Sequence, residues 1–159
     1  MTKVFIGIDN GKQGALTAIG ESNEIVEKMK MPMNGKHYDI HQIKEFFTRY
    51  DVQMVTLEDT FCGRFAQPAM KLGYCKGMLE GLCVALGLQY IVEQPKKWQK
   101  KVLAGLDLKD TKNASITFAK RMWPNEDWVM GKTPRARKVD DNLTDSACLA
   151  LYGKMTYNS

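Results

Sequence analysis

The sequence predicts an α/β fold, a mixed five-stranded sheet with helices around it, on three observations. Three short apolar runs joined by brief polar turns open the chain, and runs of strand character then alternate with helical periodicity. The third is size: 159 residues with 44% hydrophobic and 26% charged side chains are enough for one ordinary core. No internal repeat, low-complexity segment or Gly/Ser linker divides the chain, so residues 1–159 read as a single domain.

Val4-Phe5-Ile6-Gly7-Ile8 is rich in β-branched residues and ends at Asp9, the pattern of a buried strand. Gly11 and Gly14 punctuate the turn after it. Ala15–Ile19 and Glu24–Met31 follow as strands, separated by the polar Gly20-Glu21-Ser22-Asn23, and such short turns imply an antiparallel meander. After Pro32 and a polar loop, Asp39 can cap a helix whose apolar residues Ile40, Ile43, Phe46 and Phe47 keep helical spacing. Val52–Leu57 is the fourth strand and runs into Glu58 and Asp59. A long helical pattern from Pro68 to Leu86 sets Met70, Tyr74, Met78, Leu82 and Cys83 near one face. Gly73, Gly77 and Gly81 recur in it every four residues. Each costs roughly 1 kcal/mol against Ala inside a helix, so close packing against another element is expected there. Gln89–Glu93 is the fifth strand, and helices are expected over Pro95–Leu103, Lys109–Met122 and Leu143–Tyr152.

Composition excludes several classes. Cys62, Cys75, Cys83 and Cys148 form no CxxC pair, and His37 and His41 are the only histidines, which argues against a zinc site. A disulfide framework has no reason to exist in a chain of this size, so Cys75, Cys83 and Cys148 read as core side chains in a reducing compartment. No apolar stretch approaches the ~20 residues of a membrane span, and the Met1-Thr2-Lys3 start has no signal-peptide pattern. The expectation is a protein that is neither membrane-bound nor secreted.

The acidic residues suggest chemistry. Asp9 closes the first strand and Glu58 the fourth, and open α/β sheets place sites beyond strand ends. Asp140-Asp141 and Asp145 gather at the last helix, where Asp141 and Asp145, four apart, share a face if the helix starts early enough. Carboxylates without a basic neighbour repel unless a divalent cation neutralises them, and hard oxygen donors suit Mg²⁺ or Mn²⁺. Each residue also has a structural reading. Asp9 can be a turn former, Glu58 a solvated strand end, and Asn142-x-x-Asp145 a capping box. The three sets together, on these elements, favour a metal site.

Basic residues are grouped too. Lys96, Lys97, Lys100 and Lys101 surround Trp98, and Lys132, Arg135, Arg137 and Lys138 precede the acidic pair, in a chain of net charge +5. A solvated helix face is the bland explanation; the contrast of sign beside the carboxylates favours a polyanion such as nucleic acid. Phe61 is either a stacking or wedge residue or an inward loop anchor.

The chain resembles the RuvC-type Holliday junction resolvases of the RNase H-like superfamily, in the branch found in viruses and prophages. The matching pieces run in order: Ile6-Gly7-Ile8-Asp9-Asn10-Gly11, Leu57-Glu58-Asp59-Thr60-Phe61, Met70-Lys71-Leu72-Gly73 leading to Gly77, Val102-Leu103-Ala104-Gly105, and Asp145-Ser146-Ala147-Cys148-Leu149-Ala150. The resemblance implies an RNase H-like nuclease domain and a homodimer that cuts four-way DNA junctions by paired symmetric nicks. It implies two Mg²⁺ ions, replaceable by Mn²⁺, held by Asp9, Glu58, Asp145 and a fourth acid. The family's fourth acid precedes the last by three residues, where this chain has Asn142; Asp141 is the preferred substitute, ahead of Asp140. Lys100 matches a lysine near the active site, Lys112 one that contacts DNA, and Phe61 an aromatic that inserts at the crossover. Lys97, Lys101, Arg135 and Arg137 complete the expected DNA contacts. The implied location is cytoplasmic, in the host cell if the source is viral.

Two rivals are weighed. An actin-like ATPase or sugar kinase shares an Asp-x-Gly turn after its first strand but needs two such domains, beyond the reach of 159 residues. A branched-DNA-binding protein of the same fold without catalysis is supported by Asn142 alone, and metal-dependent nicking separates it from a nuclease.

Overall fold

The computed structural model describes residues 1–60, 64–129 and 138–159. Three strands come first, β1 (Lys3–Asp9), β2 (Ala15–Ile19) and β3 (Ile25–Lys30), followed by a small hairpin, β4 (Met33–Asn34) and β5 (His37–Tyr38). Then come α1 (Ile40–Thr48), β6 (Asp51–Glu58), α2 (Ala66–Ala85), β7 (Tyr90–Glu93), α3 (Pro95–Val102), α4 (Thr111–Met122) and α5 (Asp141–Tyr157). The main sheet has the order β3-β2-β1-β6-β7. β1 pairs antiparallel with β2 and β2 with β3, while β1–β6 and β6–β7 are parallel, which is the predicted mixed sheet. The hairpin forms where a plain polar loop was expected: Met33 pairs with Tyr38 and Asn34 with His37.

Strand alternation divides the core in two. Val4, Ile6 and Ile8 of β1, with Val55 and Leu57 of β6, pack with Ile43, Phe46 and Phe47 of α1 and Cys75, Leu79 and Cys83 of α2. Phe5 and Met54 pack on the opposite face with Trp98, Ala147, Leu149 and Ala150. Helices therefore cover both faces, and Asp9 and Glu58 share parity with Phe5 and Met54, on the side of α5.

Gly7 sets how closely α5 lies on β1. A Cβ there would stand 2.1 Å from the Ser146 carbonyl oxygen and 2.2 Å from the Ala150 nitrogen, both backbone. Thr17 and Ser146 add a buried hydroxyl–hydroxyl bond of 2.7 Å between β2 and α5. Asp140 caps α5, accepting from the amides of Asn142 (2.9 Å) and Leu143 (3.3 Å). The helix thus begins two residues before the predicted Leu143, and Asn142 lies inside it instead of capping it.

The predicted helix faces need two corrections. Ile40, the first residue of α1, is 41% exposed, because the capped helix turns Ile43, Phe46 and Phe47 inward. In α2 the buried residues are Cys75, Leu79 and Cys83, while Met70 and Tyr74 are 71% and 60% exposed. Nor do Gly73, Gly77 and Gly81 pack closely within the chain: a Cβ at each would meet nothing within 4 Å among the described residues. α2 is small or apolar around most of its circumference, so spacing alone does not reveal its inward face. Cys75, Cys83 and Cys148 are buried and free, as expected of core residues.

Candidate functional site

Asp9 and Glu58 end adjacent parallel strands, whose register pairs Ile8 with Leu57 one residue earlier. Both are buried, although each is acidic. Asp145 projects from the second turn of α5, the helix that Gly7 admits onto the sheet. The three charges feel one another. Burial raises the Asp9 carboxyl well above the ordinary range, and Glu58 and Asp145 raise it further, with Lys30 opposing them. Asp145 is pushed up to about 7, mainly by burial, with Glu58 and Asp141 adding to it and a hydrogen bond from Ser115 working against it. Burial also raises Glu58, and the Trp98 indole N–H moderates this by donating to its Oε2 at 2.7 Å. Asn10 completes the strand ends by donating from Nδ2 to the Glu58 carbonyl oxygen at 2.6 Å.

At the start of α5 the acids divide their work. Asp140 is occupied as the helix cap and as the partner of Lys30 at 2.8 Å. Asp141 is in the first turn, four residues from Asp145 and therefore on its face of the helix. Its Oδ2 is 3.8 Å from Lys112 Nζ. Lys30 and Lys112 correct the expectation of carboxylates without basic neighbours. Lys30 comes from β3, which the sheet order places two strands from β1.

The α3 lysines are distributed less favourably. Lys97 pairs with Glu93 at 3.3 Å, and Lys101 sits over the Tyr152 ring at 5.3 Å from its centroid. Lys100 is exposed, on the side of α3 away from Trp98, and enters no ion pair among the described residues. Of the predicted lysines it is Lys112 that reaches an acid of the cluster. Phe61, Arg135 and Arg137 lie outside the described residues.

Sequence reasoning missed Trp98 as the donor to Glu58, because the lysines around it drew it into a basic patch. Trp98 and Val102 are four apart and both buried, an inward stripe that could have flagged it. Asn10 and Lys30 carried no local signal.

The donor set suits a divalent cation. Asp9, Glu58, Asp141 and Asp145 offer only hard oxygens, and their mutual repulsion is what a cation relieves. Asn10 Oδ1 is a further buried oxygen without a hydrogen-bond partner among the described residues. As they stand, no three His, Cys, Asp or Glu side chains among the described residues close into a ready-made cage. No described helix is long and apolar enough to cross a membrane.

The mixed β3-β2-β1-β6-β7 sheet, with acids ending β1 and β6 and α5 packed across it, is the RNase H-like fold of the RuvC-type resolvases. The chain is similar to Thermus thermophilus RuvC in complex with a Holliday junction substrate, with a TM-score of 0.69 and 17% identity over 94% of this chain and 91% of that one. It is also similar to the Fowlpox virus resolvase in complex with substrate Holliday junction DNA, with a TM-score of 0.54 and 21% identity over 93% and 94% of the two chains. No family model matches the chain. No curated protein matches it either.

Proposed function

We propose that this protein is a divalent-cation-dependent endodeoxyribonuclease that resolves four-way DNA junctions. The observation that carries this reading is the meeting of Asp9, Glu58 and Asp145 on the α5 side of the sheet, in a fold shared with two resolvases solved with junction DNA. Asp9, Glu58, Asp145 and Asp141 would hold two Mg²⁺ ions, or Mn²⁺ in their place. Such a pair supplies an activated water and charge stabilisation for the leaving oxygen of a phosphodiester.

The chain's own residues prepare the site. Trp98 fixes one Glu58 oxygen and leaves the other for a ligand. Asn10 ties the ends of β1 and β6 together. Lys112 sits at the rim, where an exposed ammonium can meet a phosphate. Lys97, Lys100, Lys101, Arg135 and Arg137 extend the positive charge for the DNA arms, with Lys100 assigned to the region of the cleaved phosphate and Phe61 to the crossover. Cutting two opposed strands calls for a homodimer. The exposed α2 face, with Gly73, Gly77, Gly81 and Val84, is the surface assigned to the second copy.

The test is incubation of the protein with a labelled immobile four-way junction and a matched duplex, in Mg²⁺ and in EDTA. Paired symmetric nicks on the junction alone, in Mg²⁺ alone, are the expected result. Tight junction binding with no nicks in Mg²⁺ or Mn²⁺ would replace the nuclease with a branch-binding protein. Equal cutting of duplex and junction would remove the structure selectivity.

A further inference from the structure

We propose that a groove between the β4–β5 hairpin and the first turns of α2 binds an unpaired stretch of the DNA strand that passes the carboxylates. This rests on the nuclease reading and adds a subsite to it. The groove encloses about 640 Å³ and is lined by Lys12, Lys36, His37, Tyr38, Lys71 and Tyr74 among others. That volume lies within the ~300–1,000 Å³ typical of ligand sites.

Three features select the occupant. No acidic residue lines the groove, and Lys12, Lys36 and Lys71 are exposed and enter no ion pair among the described residues. The groove is therefore complementary to a polyanion. Its aromatic wall is a stacked pair, Tyr38 and Tyr74, with ring centroids 6.0 Å apart and planes at 26°. Tyr74 is 60% exposed and offers a platform. An unpaired base can lay its face on such a ring, whereas the bases inside a duplex are covered by their neighbours.

The groove is also fixed to the catalytic turn. Gly11, two residues after Asp9, adopts φ +103° and donates its N–H to Cys75 Sγ of α2 at 3.4 Å. The Tyr38 hydroxyl faces the same thiol. The turn that carries Asp9 thus adjoins the groove, which Lys12 of the same turn lines.

The test is binding of labelled (dT)20, an immobile junction and a matched duplex in EDTA, by fluorescence anisotropy across a salt series, with parallel junction cleavage in Mg²⁺. The chain without substitutions is compared with Lys12→Ala/Lys36→Ala/Lys71→Ala, Tyr74→Ala and Tyr74→Phe, and thermal melts verify folding. The triple variant is expected to bind (dT)20 at least tenfold more weakly, with a salt slope lower by about 2, at ~0.7 for each phosphate no longer neutralised. Tyr74→Ala should weaken (dT)20 binding several-fold and Tyr74→Phe restore it, with duplex affinity unchanged in both. If the chain nicks the junction but the variants bind (dT)20 with the same affinity and slope, the groove is refuted and the nuclease stands. If the unsubstituted chain neither binds nor cuts the junction, both readings fall. A triple variant that turns monomeric while keeping its (dT)20 affinity assigns the groove to the second copy and refutes the proposal.

Discussion

The molecule uses glycine in opposite ways on the two faces of its sheet. On the α5 side, Gly7 and Gly153 are pressed against their neighbours: a Cβ on Gly153 would stand 2.0 Å from Thr56 Oγ1, and one on Gly7 would strike the α5 backbone. On the other side, Gly73, Gly77 and Gly81 line the outer face of α2, where an added Cβ would meet nothing within 4 Å among the described residues. The first packing is complete within the chain and brings Asp145 to Asp9. The second is incomplete, and in the proposed dimer another copy fills it. A glycine repeat read from spacing does not tell whether the close approach lies within the chain.

The largest expected effect is on chemistry. Asp145→Asn should lower junction cleavage by more than the ~10²-fold that removal of an outer-shell partner costs, with junction binding in EDTA retained. Disappearance of binding together with cleavage would take Asp145 out of a purely catalytic role.

Next comes the glycine contrast itself. Gly7→Ala forces β1 and α5 apart and should cost at least the ~1–3 kcal/mol of an overpacked core, seen as a fall in Tm of ~2–4 °C per kcal/mol and as abolished cleavage. Gly77→Ala should do the reverse to the isolated fold, raising helix stability by ~0.5–1 kcal/mol. Sedimentation should nevertheless show it shifted toward monomer. A Gly77→Ala chain that stays fully dimeric would free α2 from the interface.

Trp98→Phe is a smaller perturbation. It keeps an aromatic body but leaves Glu58 Oε2 without its donor. Cleavage should drop about tenfold, the low end for an outer-shell partner, with junction affinity unchanged. An unaltered rate would make that hydrogen bond structural only.

The smallest effect is a pH dependence of the cation-free protein. Asp145 titrates near 7 in the fold against an ordinary value of 3.8, and Asp9 is displaced in the same direction. Between those values the folded chain holds more protons than the unfolded one, so these groups lose stability as pH rises toward 7 and beyond. In EDTA, Tm should be lower at pH 8 than at pH 5.5, and Asp145→Asn should flatten the difference. A Tm that climbs over that interval in EDTA would contradict the repulsion described for the cluster.

Much of this was legible in the chain. The five main strands and the approach of Asp9 to Glu58 follow from two β-rich runs that each end in an acid, and Asp141 and Asp145 from helical spacing. What stayed hidden depends on distant segments. Lys30 meets Asp140 from β3, more than a hundred residues away, and Trp98 reaches Glu58 from α3. The inward face of α2 was misread because apolar and small residues surround it, leaving no polar stripe to mark the outside.

The central claim is that the acids on the α5 side of the sheet form a divalent-cation site. Calorimetric titration of Mn²⁺ into the metal-free protein and into Asp145→Asn tests it most directly. The account predicts saturable binding to the unsubstituted chain, weakened at least tenfold by the substitution. Equal binding by both proteins, or none by either, would contradict it.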